Sequence, residues 1–82
     1  MSNEQSIPKG SYIFREGESA RYAYVLQSGI VEILKLGIDG ETALAELEAK
    51  NTIFGEMALI DGAPRSAGAR AKTDVVVTQV DK

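Results

Sequence analysis

Apolar residues fall along this chain in short runs cut by glycine, and the cuts set the elements. After a polar start, residues 7–10 (Ile-Pro-Lys-Gly) form a turn and residues 11–14, with Tyr12, Ile13 and Phe14, a first short strand. Residues 22–27 are rich in aromatic and aliphatic strand formers and close on the turn signal Ser28-Gly29. Residues 30–36 partly alternate, with Glu32 set between Val31 and Ile33, as a strand with one wet face does. Residues 37–40 (Gly-Ile-Asp-Gly) then make a hairpin loop.

The return segment, residues 41–48, is ambiguous by propensity, because Ala43, Leu44, Ala45, Glu46 and Leu47 all suit a helix. It is read as a strand, since a strand that ends in a glycine turn usually pairs with the segment after the turn. Residues 68–73 alternate small apolar with basic residues, so Arg70 and Lys72 lie on a wet face, and residues 75–80 are the strongest β-forming run in the chain. Short strands at regular spacing predict a mainly all-β fold: a β-roll or jelly-roll sandwich of about eight short strands, one domain over residues 1–82, with a single short helix.

That helix lies in residues 51–67, NTIFGEMALIDGAPRSA, the stretch richest in candidate chemistry. Nine positions separate Glu56 from Arg65, and at roughly 100° per residue one unbroken helix would point them about 180° apart. They converge only if the helix stops between them, and Gly62 and Pro64 are the expected stops. Backbone N–H groups near Gly55 to Ala58 attract an anion, Gly55 permits its close approach, Arg65 offers a planar fork to phosphate oxygens and Ser66 a hydroxyl. Glu56 would repel a bare phosphate, so the ligand must also present a donor. A phosphorylated ribose does both. Met57, Leu59 and Ile60 are expected to pack.

The run Phe54-Gly55-Glu56-Met57-Ala58-Leu59, followed by Pro64-Arg65-Ser66-Ala67, resembles the phosphate-binding cassette of the cyclic nucleotide-binding domain family, which includes catabolite activator-type regulators and regulatory subunits of cAMP-dependent kinase. The likeness extends from about Ile7 to Val80. It implies that Glu56 accepts from the ribose 2′-hydroxyl, that Arg65 grips the cyclic phosphate, and that the backbone around Gly55, Met57 and Ala58, with Ser66, completes the cradle. The ligand implied is a cyclic nucleotide, cAMP or cGMP, with cAMP the expected one. Family members usually carry helices before the roll and a hinge and lid helix after it, and the chain ends at Asp81-Lys82, where the hinge would begin. That end implies a base left partly in water.

Composition narrows the rest. There is no cysteine and no histidine, which removes disulfides, thiolate nucleophiles, zinc–thiolate sites and the commonest general base. A metalloenzyme of the cupin kind needs clustered histidines, so no metal site, no cofactor and no enzymatic activity are expected. The net charge of −3 argues against a direct nucleic-acid surface. No apolar run reaches membrane-span length and the polar start is no signal peptide, so a cytoplasmic setting is expected, without membrane. Two functions remain: a cyclic nucleotide-binding regulatory module acting through a partner or effector domain, with homo-oligomerisation open, and a jelly-roll domain that binds other proteins and no nucleotide.

Overall fold

The computed structural model describes residues 3–81. Met1 and Ser2, at the head of the polar start, and Lys82 lie outside the described residues. Eight strands and one helix run in the order β1 (Glu4–Ile7), β2 (Tyr12–Phe14), β3 (Tyr22–Ser28), β4 (Val31–Gly37), β5 (Gly40–Leu47), β6 (Ile53–Phe54), α1 (Glu56–Asp61), β7 (Gly68–Ala71) and β8 (Val75–Asp81). They form two four-stranded sheets, β1-β8-β3-β6 and β2-β7-β4-β5. Every pairing is antiparallel. The expected β-roll sandwich is thus the fold of this chain.

Strand alternation builds the core. On β8, Val75 and Val77 are buried while Val76 and Thr78 are half-buried, the period-two pattern of a strand facing a second layer. Leu26 from β3, Val31 from β4, and Ala69 and Ala71 from β7 meet them. At one end, three aromatic rings close the space: Phe14, Tyr24 and Phe54, with centroids 5.7 to 6.2 Å apart, a spacing at which tilted and offset rings attract. These rings form an aromatic floor at the end of the roll from which Phe54 leads through Gly55 into α1.

The ambiguous segment is strand β5, paired with β4 from Val31↔Leu47 to Gly37↔Gly40. Its residues are exposed apart from Leu47, so cross-strand pairing decides its conformation and burial does not. Two expectations about the chain's start need correcting. The polar leader holds a strand, β1, whose Glu4, Gln5, Ser6 and Ile7 pair with Thr78 to Val75 of β8. The strand at Tyr12–Phe14 is therefore the second. Nothing in the hydrophobic pattern marks β1, because the open edge of β8 supplies the hydrogen bonds that hold it.

Candidate functional site

The cassette is built by two left-handed glycines around a six-residue helix. Gly55 precedes α1 with φ 76° and Gly62 ends it with φ 74°, its N–H donating to the Ala58 carbonyl. The helix stops where glycine and proline were expected to stop it, and the chain returns through residues 63–65 towards the sheet. No side chain caps the first turn of α1, and Glu56 is its acidic residue.

Arg65 does not extend into solvent. It is 4% exposed and is the one buried polar or charged residue among those described. Its Nη1 donates to the Gly55 carbonyl at 2.5 Å and its Nη2 to the Tyr22 carbonyl at 2.6 Å. The guanidinium carbon stands 4.0 Å from the centre of the Phe14 ring and 6.0 Å from that of Tyr24, a cation–π contact on two faces of the aromatic floor. The backbone is held as firmly. Gly17 N–H donates to the Arg65 carbonyl, and Arg65 N–H to the Glu18 carbonyl, both at 2.8 Å.

Among the described residues no carboxylate lies within ion-pairing distance of this cation. Burial lowers the Arg65 pKa from its ordinary value, with Tyr24 and Glu18 acting in the opposite sense; a guanidinium stays charged under such a shift at neutral pH. Two buried side-chain polar atoms among the described residues have no hydrogen-bond partner: Arg65 Nε and Glu56 Oε2. Both residues line one cavity of about 180 Å³, together with Phe14, Ile33, Gly55, Met57, Ala58, Ser66, Ala67 and Gly68. Two larger hollows elsewhere, beside Tyr12 and Arg15 and beside Pro8 and Asp74, hold neither of these unpartnered atoms.

All six expected site residues, Gly55, Glu56, Met57, Ala58, Arg65 and Ser66, therefore line the same hollow. Gly55 has a use beyond its turn. A Cβ at this position would stand 2.7 Å from Arg65 Nη1 and 3.1 Å from Phe14 Cε2, so any side chain there displaces the guanidinium. The packing expected of α1 is not found: Met57 and Ile60 are 64% and 69% exposed, Leu59 is half-buried, and no residue of the helix is buried. The helix lies on the roll instead of in it. Arg70 and Lys72 lie on the sheet face as expected, but each is paired, Arg70 with Glu32 at 3.1 Å and Lys72 with Glu46.

Sequence reasoning did not single out Phe14, Ile33, Tyr22 or the turn at residues 15–18 as parts of this site. The contacts of Phe14, the turn and Tyr22 with Arg65 span 43 to 51 positions, Ile33 only shares the cavity, and spacing along the chain carries no trace of them. The one available signal was Gly17, whose turn conformation at φ 89° brings its N–H to the Arg65 carbonyl.

Among the described residues, no helix is long and apolar enough to cross a membrane and no cluster of acidic side chains has the makings of a metal site. The model of the cyclic nucleotide-binding domain family matches residues 4–82. A cAMP-dependent protein kinase regulatory subunit of Pyricularia oryzae is 37% identical over 95% of this chain and 19% of its own length. A CRP-like cAMP-activated global transcriptional regulator of Mycobacterium tuberculosis is 32% identical over 93% of this chain and 34% of its own. Among solved structures, the EAL enzyme Bd1971 in its cAMP-bound form superposes with a TM-score of 0.89 and 40% identity over 95% of this chain and 21% of that one. The catabolite activator protein of Thermus thermophilus gives 0.89 and 32% identity over 98% and 38%. The chain thus spans about a fifth to two-fifths of the length of these proteins. With its roll and a match running from Glu4 to the last residue, it belongs to the cyclic nucleotide-binding domain family.

Proposed function

We propose that this chain is the sensor module of a regulatory protein, and that its cassette cavity takes the ribose phosphate of cAMP. One observation carries the reading: a buried guanidinium with no ion-pairing partner among the described residues shares a cavity with a buried carboxylate oxygen that has no donor among them. Burying a charge is costly unless something pairs with it, and these two unpartnered groups call for an anion and a hydroxyl on one small molecule. Ribose 3′,5′-cyclic phosphate presents both. In this reading the phosphate takes the Nε–H and free Nη hydrogens of Arg65, backbone N–H groups of residues 55–58 and Ser66 complete its cradle, and Glu56 accepts from the ribose 2′-hydroxyl. The curated relatives named for cAMP support that nucleotide, although Bd1971 has both cAMP-bound and cGMP-bound forms.

Micromolar binding corresponds to about 8 kcal/mol, and hydrogen bonds to charged groups contribute roughly 1.5–3 kcal/mol each before desolvation and ordering are subtracted. Titration calorimetry of the intact protein is expected to show heat with cAMP at micromolar concentration and weaker heat with cGMP. No heat with either nucleotide up to millimolar concentration would end the reading. The role of Glu56 has its own test. Removing the ribose 2′-hydroxyl from the ligand should weaken binding by about tenfold, and Glu56→Ala should abolish that difference between cAMP and its 2′-deoxy analogue. An undiminished difference in the variant would assign the hydroxyl another partner.

A second reading, a protein-binding roll without nucleotide, draws on the exposed apolar side chains Met57, Ile60 and Ile53 around the cassette. The same calorimetry separates the two. In either reading the module itself performs no catalysis, and its output passes to a partner or to another domain.

A further inference from the structure

Strand β4 outruns its neighbour. Its ladder with β7 ends at Leu34↔Gly68, while its ladder with β5 continues to Gly37. Beyond Leu34, therefore, β4 has no strand partner on the β7 side among the described residues, because the chain before Gly68 has turned off into the arm at Arg65 and Ser66. Side chains fill that gap. Glu16 Oε1 accepts from Leu36 N–H at 2.9 Å. Lys35 Nζ donates to the Ser66 carbonyl at 2.6 Å and stands 3.5 Å from Glu16 Oε2.

We propose that Lys35 is a positioning residue for the nucleotide-binding cassette, holding the Ser66 carbonyl from β4 while Glu16 aims its ammonium. The proposal rests on the cyclic nucleotide reading of the cavity above. Three segments far apart in the chain are closed into a ring by these contacts. The turn at residues 15–18 holds the Arg65 backbone through Gly17 N–H and the Glu18 carbonyl, its Glu16 holds β4, and Lys35 of β4 holds the residue next to Arg65. The Ser66–Ala67 peptide is trans and planar, so fixing its carbonyl also fixes the direction of Ala67 N–H, which points the opposite way. Ala67 lines the cavity. Lys35 itself does not line it, so its effect on a ligand must pass through the arm. The bond from Leu36 N–H, and secondarily the ammonium of Lys35, keep the Glu16 carboxyl below its ordinary range, which leaves it anionic at neutral pH.

The test compares wild type with Lys35→Met, Lys35→Arg and Glu16→Gln in the intact chain, by two readouts. Amide hydrogen exchange without nucleotide reports the hold on the arm through Gly17, Leu36 and Arg65. Calorimetry reports cAMP affinity. Lys35→Met should speed exchange at those amides against an unchanged core, and weaken cAMP binding about fivefold, as fits a half-exposed charged contact. Lys35→Arg should restore both, and Glu16→Gln should fall between. Unchanged affinity in Lys35→Met overturns the proposal, and so does faster exchange spread evenly over both sheets, which would make Lys35 a general stabiliser. If wild type binds no cyclic nucleotide, it is the reading of the cavity that fails, and the exchange pattern alone then decides whether Lys35 fixes the arm.

Discussion

Gly29→Ala is expected to remove most of the stability of this protein, seen as loss of the cooperative urea transition or as insoluble product. Gly29 turns the chain from β3 into β4 at φ 89°, a conformation that costs an L-residue about 1–2 kcal/mol before any contact is counted. The larger cost is steric. A Cβ there would stand 2.2 Å from the Asp74 carbonyl oxygen and 2.9 Å from Val75 Cα, and backbone atoms cannot rotate away as a side chain can. Nor is the loop opposite free to move. Ile30 N–H donates to Thr73 Oγ1, Lys72 N–H to the Ile30 carbonyl and Lys9 N–H to Asp74 Oδ1, so three turns are tied together at this point, and Val75 is 1% exposed in the core behind it. A loss beyond about 4 kcal/mol is expected, against total stabilities of about 5–15 kcal/mol for small domains. Gly10→Ala serves as the comparison, because Gly10 has φ 88° with no atom within 4 Å of the added Cβ. It should cost only the conformational term of about 1–2 kcal/mol. Equal unfolding midpoints for the two variants would refute the steric argument.

The contrast between these two glycines also marks what a linear sequence discloses. Both read as turn residues, and both are turns, but only the folded chain distinguishes a crowded turn from an open one. The same limit applies to the strands. β4 and β7 announce themselves through alternation, and β3 and β8 through runs of β-forming residues. Strand β5 required an argument from its hairpin, because its exposed residues carry helical propensity and β4 overrules it. Strand β1 gave no sign, because its first three residues are exposed and polar and its pairing with the edge of β8 is long-range.

The candidate site divides along the same line. The order Gly, Glu, helix, Gly, Pro, Arg is local, so the sequence discloses that a carboxylate and a guanidinium return to one hollow. The surroundings of that pair are not local. Phe14 beneath the guanidinium, the Tyr22 carbonyl beside it and Lys35 behind the arm come from strands 30 to 51 positions away. Apolarity was a poor guide on α1, where Met57 and Ile60 face outward, because a hydrophobic residue states what it would avoid and not what covers it.

Arg65→Ala is expected to abolish cAMP binding, by at least about a hundredfold, and to destabilise the fold at the same time. The binding loss comes from the proposed pose: a phosphate deprived of two charge-assisted hydrogen bonds forfeits about 3 kcal/mol or more, and each 1.4 kcal/mol is tenfold. The stability loss comes from where the side chain sits. Its removal takes the donors from the Gly55 and Tyr22 carbonyls and the cation from the Phe14 ring, for about 2–3 kcal/mol. A variant that fails to bind because it fails to fold would prove nothing, so Arg65→Lys is the sharper instrument. Its ammonium keeps the charge, yet it cannot reach two carbonyls and two phosphate oxygens together as a planar fork does. The Arg65→Lys protein is therefore expected to unfold cooperatively at a slightly lower urea midpoint and to bind cAMP at least about tenfold more weakly. A folded Arg65→Lys protein with wild-type affinity would mean that the guanidinium only anchors the cassette to the aromatic floor, and that any phosphate is held by the backbone alone.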